Sequence, residues 1–234
     1  MEETFEIRYS FKFQNQQQLD FPMVLNKETL FLQGSAAGEP PFWADLGFNR
    51  CSVCSLDPDR IKQCPVAVNL DHIVEEFKNF YAYETAQVVV TTRERTYSKT
   101  VTVQEGLSAL IGIIMVTSGC PVMERLKPMV RFHLPFAALE ESAYRMISMY
   151  LFAQLYRYRR GMTTDWDLQG LEKLYEAVGE VNESFAKRLL AAAEKDANVN
   201  ALVNLDCLAK MLPFTVEDLL TEMEGYFSAG LLAL

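Results

Sequence analysis

The strictest constraint on this chain lies near its start, where Phe5, Ile7, Tyr9, Phe11 and Phe13 alternate with Glu6, Arg8, Ser10 and Lys12. Successive side chains of a strand point to opposite faces, so this period of two demands a β-strand with one buried face. A sheet wetted on one side needs a second layer on the other, and the rest of the chain must supply it. After a polar turn at Gln14 to Gln18, Leu19 to Leu25 and Thr29 to Leu32 read as further short strands, with Pro22 pointing to an edge or a bulge. Gln87 to Thr92 and Thr96 to Val103 are rich in Val and Thr and flank Arg93-Glu94-Arg95, which is the pattern of a hairpin.

The second layer is helical. Leu70, Ile73, Val74, Phe77 and Phe80 recur at helical spacing, and from Gln104 onward the pattern is helical throughout. Pro135 is expected to open a long helix as a first-turn residue. Arg157, Arg159 and Arg160 followed by Gly161 close it, with basic groups near the negative end of the dipole and a glycine stop. Further helices are expected over Asp167 to Glu194 and Asn198 to Leu212, and Thr215 with Asp218 matches a capping box opening a last one. The expected fold class is therefore α+β: a small antiparallel N-terminal sheet with a cysteine-rich loop over residues 1–103, then a helical C-terminal half over residues 104–234.

Half of the 234 residues are hydrophobic, enough for a sizeable core without disulfides. The net charge of −9 argues against nucleic acid, since displacing counterions from phosphates needs clustered Lys and Arg. Residues 161–234 carry most of that acidity, with 5 Lys and Arg against 13 Asp and Glu. Leu107 to Val116, the longest strongly apolar stretch, is too short to span a bilayer, and Met1 to Phe13 does not resemble an export signal. Five cysteines, an odd number with one close pair, do not resemble a secreted disulfide framework. A cytoplasmic protein that contacts neither membrane nor nucleic acid is the expectation.

Chemistry concentrates in Cys51-Ser-Val-Cys54 and Cys64-Pro65, three thiols in a loop with turn signals at Asp57-Pro58. A two-residue gap lets both sulfurs address one centre, which is why this spacing recurs in zinc and iron-sulfur sites. Cys64 and Cys120 are each followed by Pro-Val and then by an expected helix. Proline suits the first helical position, and the amides of that helix end stabilise a thiolate. Cys51, Cys54, Cys64 and Cys120 thus form a candidate metal set, with His72 as a substitute for the fourth. Zinc is the expected metal and an iron-sulfur cluster the alternative; the bland reading makes these cysteines small buried hydrophobes.

Other signals read as structural. Cys207, between Leu205 and Leu208, is expected to be a core residue, and His133, flanked by apolar residues, is expected to pack. Glu172, Glu176, Glu180 and Glu183 share a helical face of the kind that is usually solvated. Arg125, Lys127 and Arg131 with Arg157, Arg159 and Arg160 could gather into an anion site, although capping explains the second trio. No glycine-rich nucleotide loop and no Gly-x-Ser-x-Gly elbow occurs, and neither histidine completes a Glu-x-x-His pair.

The runs Cys51-Ser-Val-Cys54-Ser-Leu-Asp-Pro58, Cys64-Pro-Val-Ala-Val-Asn-Leu70, Met115-Val-Thr-Ser-Gly-Cys-Pro-Val-Met123 and Arg131-Phe-His-Leu-Pro-Phe136 resemble an uncharacterised bacterial family. It is a domain of unknown function found in anaerobic, metal-reducing and sulfate-reducing bacteria, and the similarity spans most of the chain. The resemblance implies a setting that favours iron-sulfur chemistry and implies no activity. The functional expectation is a cytosolic metal-binding accessory or regulatory protein, a zinc tetrathiolate without assignable catalysis. An iron-sulfur or thiol redox protein is one alternative. A scaffold engaging a protein partner through its acidic C-terminal helices is the other.

Overall fold

The computed structural model describes residues 3–34, 38–192 and 194–233. Strand β1 (Thr4–Phe13) forms along the alternating segment and buries Ile7, Tyr9 and Phe11 on one face. It pairs antiparallel with β2 (Gln18–Asn26), Tyr9 opposite Phe21 and Phe5 opposite Leu25. Its other side pairs with β3 (Thr85–Thr91), which pairs in turn with β4 (Thr96–Thr102). The sheet is four-stranded in the order β2-β1-β3-β4, antiparallel throughout, and the α+β expectation holds. Pro22 does lie on an edge strand, where a missing donor is tolerated.

Helix α1 (Pro65–Phe77) buries Leu70, Ile73, Val74 and Phe77 in the core that the apolar face of the sheet also lines. The Phe77 ring meets Phe11 edge-on, with centroids 5.0 Å apart. Helix α2 (Val103–Thr117) follows β4 without a linker. Thr102 and Glu105 switch the backbone from strand to helix through a capping box: the Thr102 side chain accepts from Glu105 N–H, and the Glu105 carboxylate accepts from Thr102 N–H at 2.9 Å. Val103, Leu107, Leu110, Ile111, Ile114 and Met115 are all buried, so the helix is apolar nearly all round and lies at the centre of the core. At Gly106 it comes close to the sheet, for an added Cβ there would lie 2.8 Å from both the Phe11 ring and a Val88 methyl.

A short α3 (Pro128–Arg131) precedes α4 (Leu139–Arg159), α5 (Gln169–Ala192), α6 (Ala197–Glu224) and a final turn α7 (Ala229–Leu232). Helices α5 and α6 pack on each other, and α6 covers the side of α2 away from the sheet. The buried core is continuous from the sheet through α1 and α2 into α5 and α6.

Three local expectations are corrected. Thr29 to Leu32 is not a strand. Asn26 Oδ1 accepts from the N–H groups of Glu28 and Thr29, both at 2.8 Å, and this turn leaves Leu32 making an isolated bridge to Leu25. Pro135 does not open the long helix: Phe136 takes a positive φ of 60°, and α4 starts at Leu139, where the Glu141 carboxylate accepts from Ala138 N–H at 2.8 Å. The helix from Asn198 does not stop near Leu212 and no separate one opens at Thr215, for α6 runs from Ala197 to Glu224. The far end of α4 is as expected, with Arg157 and Arg159 in the last turn and Gly161 at a φ of 66°. Among the described residues, no helix is long and apolar enough to cross a membrane.

Candidate thiol centre

The loop between β2 and α1 is closed at its base. Asp45 and Gln63 form an isolated bridge, Leu46 N–H donates to the Lys62 carbonyl at 2.8 Å, and Cys64 N–H donates to the Ala44 carbonyl at 2.7 Å. From α5, the buried Arg188 reaches into this base and donates to the carbonyls of Trp43, Asp45 (2.8 Å) and Leu46 (3.3 Å). One guanidinium thereby satisfies three backbone oxygens that would otherwise be stranded away from water.

Within the loop, Cys51 and Cys54 sit at the two ends of a tight turn, with Cys54 N–H donating to the Cys51 carbonyl at 3.1 Å. The Arg50 guanidinium braces the turn by donating to the carbonyls of Cys54 (3.2 Å) and Leu56 (2.7 Å). Ser52 Oγ donates to Glu180 Oε2 of α5 at 2.6 Å, and the Cys51 thiol hydrogen-bonds the side chain of Ser184 one turn further along. Cys64 is the N-cap residue of α1, with Pro65 at the first helical position, as its spacing predicted. Cys120 comes directly after Gly119, which turns the chain at the end of α2 with a φ of 87°. Beyond Cys120 the chain forms a short 3-10 turn, Met123–Leu126, in place of the expected helix; even so, the backbone N–H groups of Met123 and Val122 are directed at its sulfur.

Four thiols from three parts of the chain are therefore brought into electrostatic range. Burial pushes the Cys51 thiol up to about 11, and charge on Cys64, Cys120 or Cys54 would raise it further, against the opposing Ser184 hydrogen bond. The Cys120 thiol is raised by burial too, with Cys64 and Cys54 acting the same way and the two amides opposing. All four are free thiols and partly buried. Among the described residues, no three His, Cys, Asp or Glu side chains already stand in a geometry that could hold a metal ion. The arrangement is a gathering of donors with amides and a helix start around them, rather than a closed coordination cage.

The remaining candidates fall elsewhere. His72 lies eight residues along α1 from Cys64, roughly 12 Å at the helical rise, and packs against the Phe21 ring of the sheet. The charges that reach Cys51 are those of Cys64, Cys120 and Cys54. His133 packs as expected, its Nε2 2.6 Å from the Tyr9 hydroxyl. Cys207 is exposed on α6, which corrects its placement in the core: an apolar neighbourhood in sequence does not fix which helical face meets the interior. Of the acidic stripe, Glu180 bonds Ser52 and Glu183 pairs with Lys210 at 2.6 Å. Lys127 sits over the Phe31 ring and Arg131 pairs with Glu94, so these basic residues are engaged locally. Arg188 is the residue the pattern could have exposed: it sits three positions after the buried Phe185, on the apolar stripe of α5, where a charge needs a partner.

Fold and site together define an α+β protein with a thiol centre held between an N-terminal loop, the end of α2 and the face of α5. The chain belongs to a family described as a domain of unknown function, DUF6901, whose model matches residues 7–228. No curated protein and no solved structure matches it.

Proposed function

We propose that the chain is a metal-binding protein of accessory or regulatory type, in which Cys51, Cys54, Cys64 and Cys120 hold one zinc ion. The observation that carries this reading is the approach of Cys120, from beyond α2, to three thiols of a loop more than fifty residues earlier. Within this group each thiolate would raise the energy of its neighbours' ionised forms. A divalent cation reverses that sign. Zinc suits an all-sulfur set because its filled d shell imposes no geometry of its own, and tetrathiolate sites are closed and structural. The amides at Cys120 favour the thiolate form that such an ion needs, and Cys64 stands at the start of α1. Four reduced thiols fit the cytoplasm, where disulfides are rare.

A second reading, an iron-sulfur or thiol redox protein, is favoured by the proline that directly follows both Cys64 and Cys120, a neighbour that also accompanies cluster-ligating cysteines. The test is elemental analysis of protein purified without oxygen or chelator, alongside Cys51→Ser and Cys120→Ser variants. Zinc near one ion per chain, lost in both variants, supports the proposal. Iron with a brown colour transfers the site to a cluster. Neither metal near one site per chain ends the metal reading.

A further inference from the structure

A cavity of about 700 Å³ opens between α2, α4, α5 and α6 and, among the described residues, shares with the thiol centre only Met123, whose backbone N–H is directed at Cys120. They use different sides of α5, for Asn182 lines the cavity while Ser184, two residues on, meets Cys51. The volume is that of a small-molecule site, and most of the wall is apolar, with Ile113, Val116, Met123, Leu126, Val178 and Leu205 among its contributors. Two polar groups on the wall are incomplete. Arg145 donates to the Met129 carbonyl at 2.9 Å, yet its buried Nε has no acceptor among the described residues. Glu141, whose charge reaches Arg145, is engaged by the Ala138 N–H. Asn182, only 2% exposed, has a buried Oδ1 that receives no hydrogen bond among the described residues. A buried donor and a buried acceptor left open each cost free energy that a complementary ligand would recover.

We infer that this cavity binds an elongated apolar monocarboxylate that carries a hydroxyl or N–H at its far end. Arg145 is the anion partner. Charges on the wall are Lys99 and Arg145 against Glu105, which the capping box already uses, so the site suits a single negative charge rather than a phosphate. Asn182 supplies an acceptor, which a carboxylate cannot satisfy and a donor can. Along α5 the wall runs from Tyr175 to Asn182, seven residues or roughly 10 Å at the helical rise, and Arg145 joins it from α4. A chain of about eight to ten carbons spans that distance with its methylenes against the apolar wall.

Calorimetric titration of the full chain with ω-hydroxydecanoate, decanoate and decanol tests this. One site is expected, with ω-hydroxydecanoate tightest. Arg145→Met should weaken both acids about tenfold to a hundredfold and leave decanol unchanged. Ala109→Phe, which projects a ring from α2 into the cavity, should abolish binding of all three, and it keeps the test open if Arg145→Met fails to fold. No binding of ω-hydroxydecanoate, decanol binding as tightly as the acids, or undiminished binding by Ala109→Phe overturns the inference. Equal binding of decanoate and ω-hydroxydecanoate overturns the role given to Asn182.

Discussion

Ser52 Oγ lies 2.6 Å from Glu180 Oε2, a hydrogen bond that ties the middle of the Cys51–Cys54 turn to α5 and keeps Cys51 beside Ser184. The bond is exposed to water and contributes modestly to stability, about 1 kcal/mol or less. Its larger effect is positional. Ser52→Ala should leave the unfolding midpoint nearly unchanged and speed alkylation of Cys51 in metal-free protein, followed by mass spectrometry. The exposed Cys207 should react first in both proteins. An unchanged Cys51 rate would mean that the turn is held by other contacts.

Arg188→Met removes the donors for the carbonyls of Trp43, Asp45 and Leu46 while keeping much of the side-chain volume. Breaking a buried charged hydrogen-bond set of this kind costs about 3 kcal/mol or more. Denaturant unfolding should show that loss. Hydrogen exchange should show faster opening at residues 43–48 than in the sheet, because the loop base, not the core, loses its partner.

The His133 ring packs against Tyr9, and burial, aided by the positive charge of Arg145, pushes its pKa down to about 3. The unfolded ring titrates near 6.5, so below that pH the unfolded chain binds a proton that the native state refuses. The stabilisation is complete above about 6.5 and is lost as pH falls toward 3, at up to about 1.4 kcal/mol per unit. Between pH 7 and 5 the wild type should lose about 2 kcal/mol. His133→Gln keeps a partner for the Tyr9 hydroxyl without a titrating ring, and its stability should be flat over the same interval. Equal slopes for the two proteins would refute the assignment.

At Gly106, Ala brings a helix-propensity gain of up to about 1 kcal/mol. Its Cβ would also press 2.8 Å from Phe11 and Val88, and overpacking of that kind costs about 1–3 kcal/mol. The clash should win, and Gly106→Ala should lower the melting temperature. A rise would show that α2 can retreat from the sheet without loss.

The elements most legible in the sequence were those whose periodicity is local: the alternation of β1, the Val- and Thr-rich hairpin of β3 and β4, and the apolar stripe of α1. Punctuation was legible where a residue has one steric use, as with Gly161 after α4 and Pro65 after Cys64. Pro135 misled because proline tolerates several extended settings as well as a helix start. The capping-box pattern at Thr215 and Asp218 misled because tertiary packing can carry a helix on past a local start signal. For the site, spacing pointed to Cys51, Cys54 and Cys64, and the repeated Cys-Pro-Val pointed to Cys120. Ser184, Glu180 and Arg188 were hidden because their partners lie more than 120 residues away, where no periodic pattern links them.

The setting of Pro22 has a consequence for how copies of this protein meet. The Val24 carbonyl faces away from β1 and accepts from Gln33 N–H at 2.7 Å, so Pro22, two residues earlier, turns its donor-less nitrogen to the same outer flank. One stretch of that flank is thus occupied by the protein's own backbone and the next cannot donate. An incoming strand from a neighbouring molecule finds no continuous ladder to extend there, which guards this margin against fibrillar self-association at high concentration.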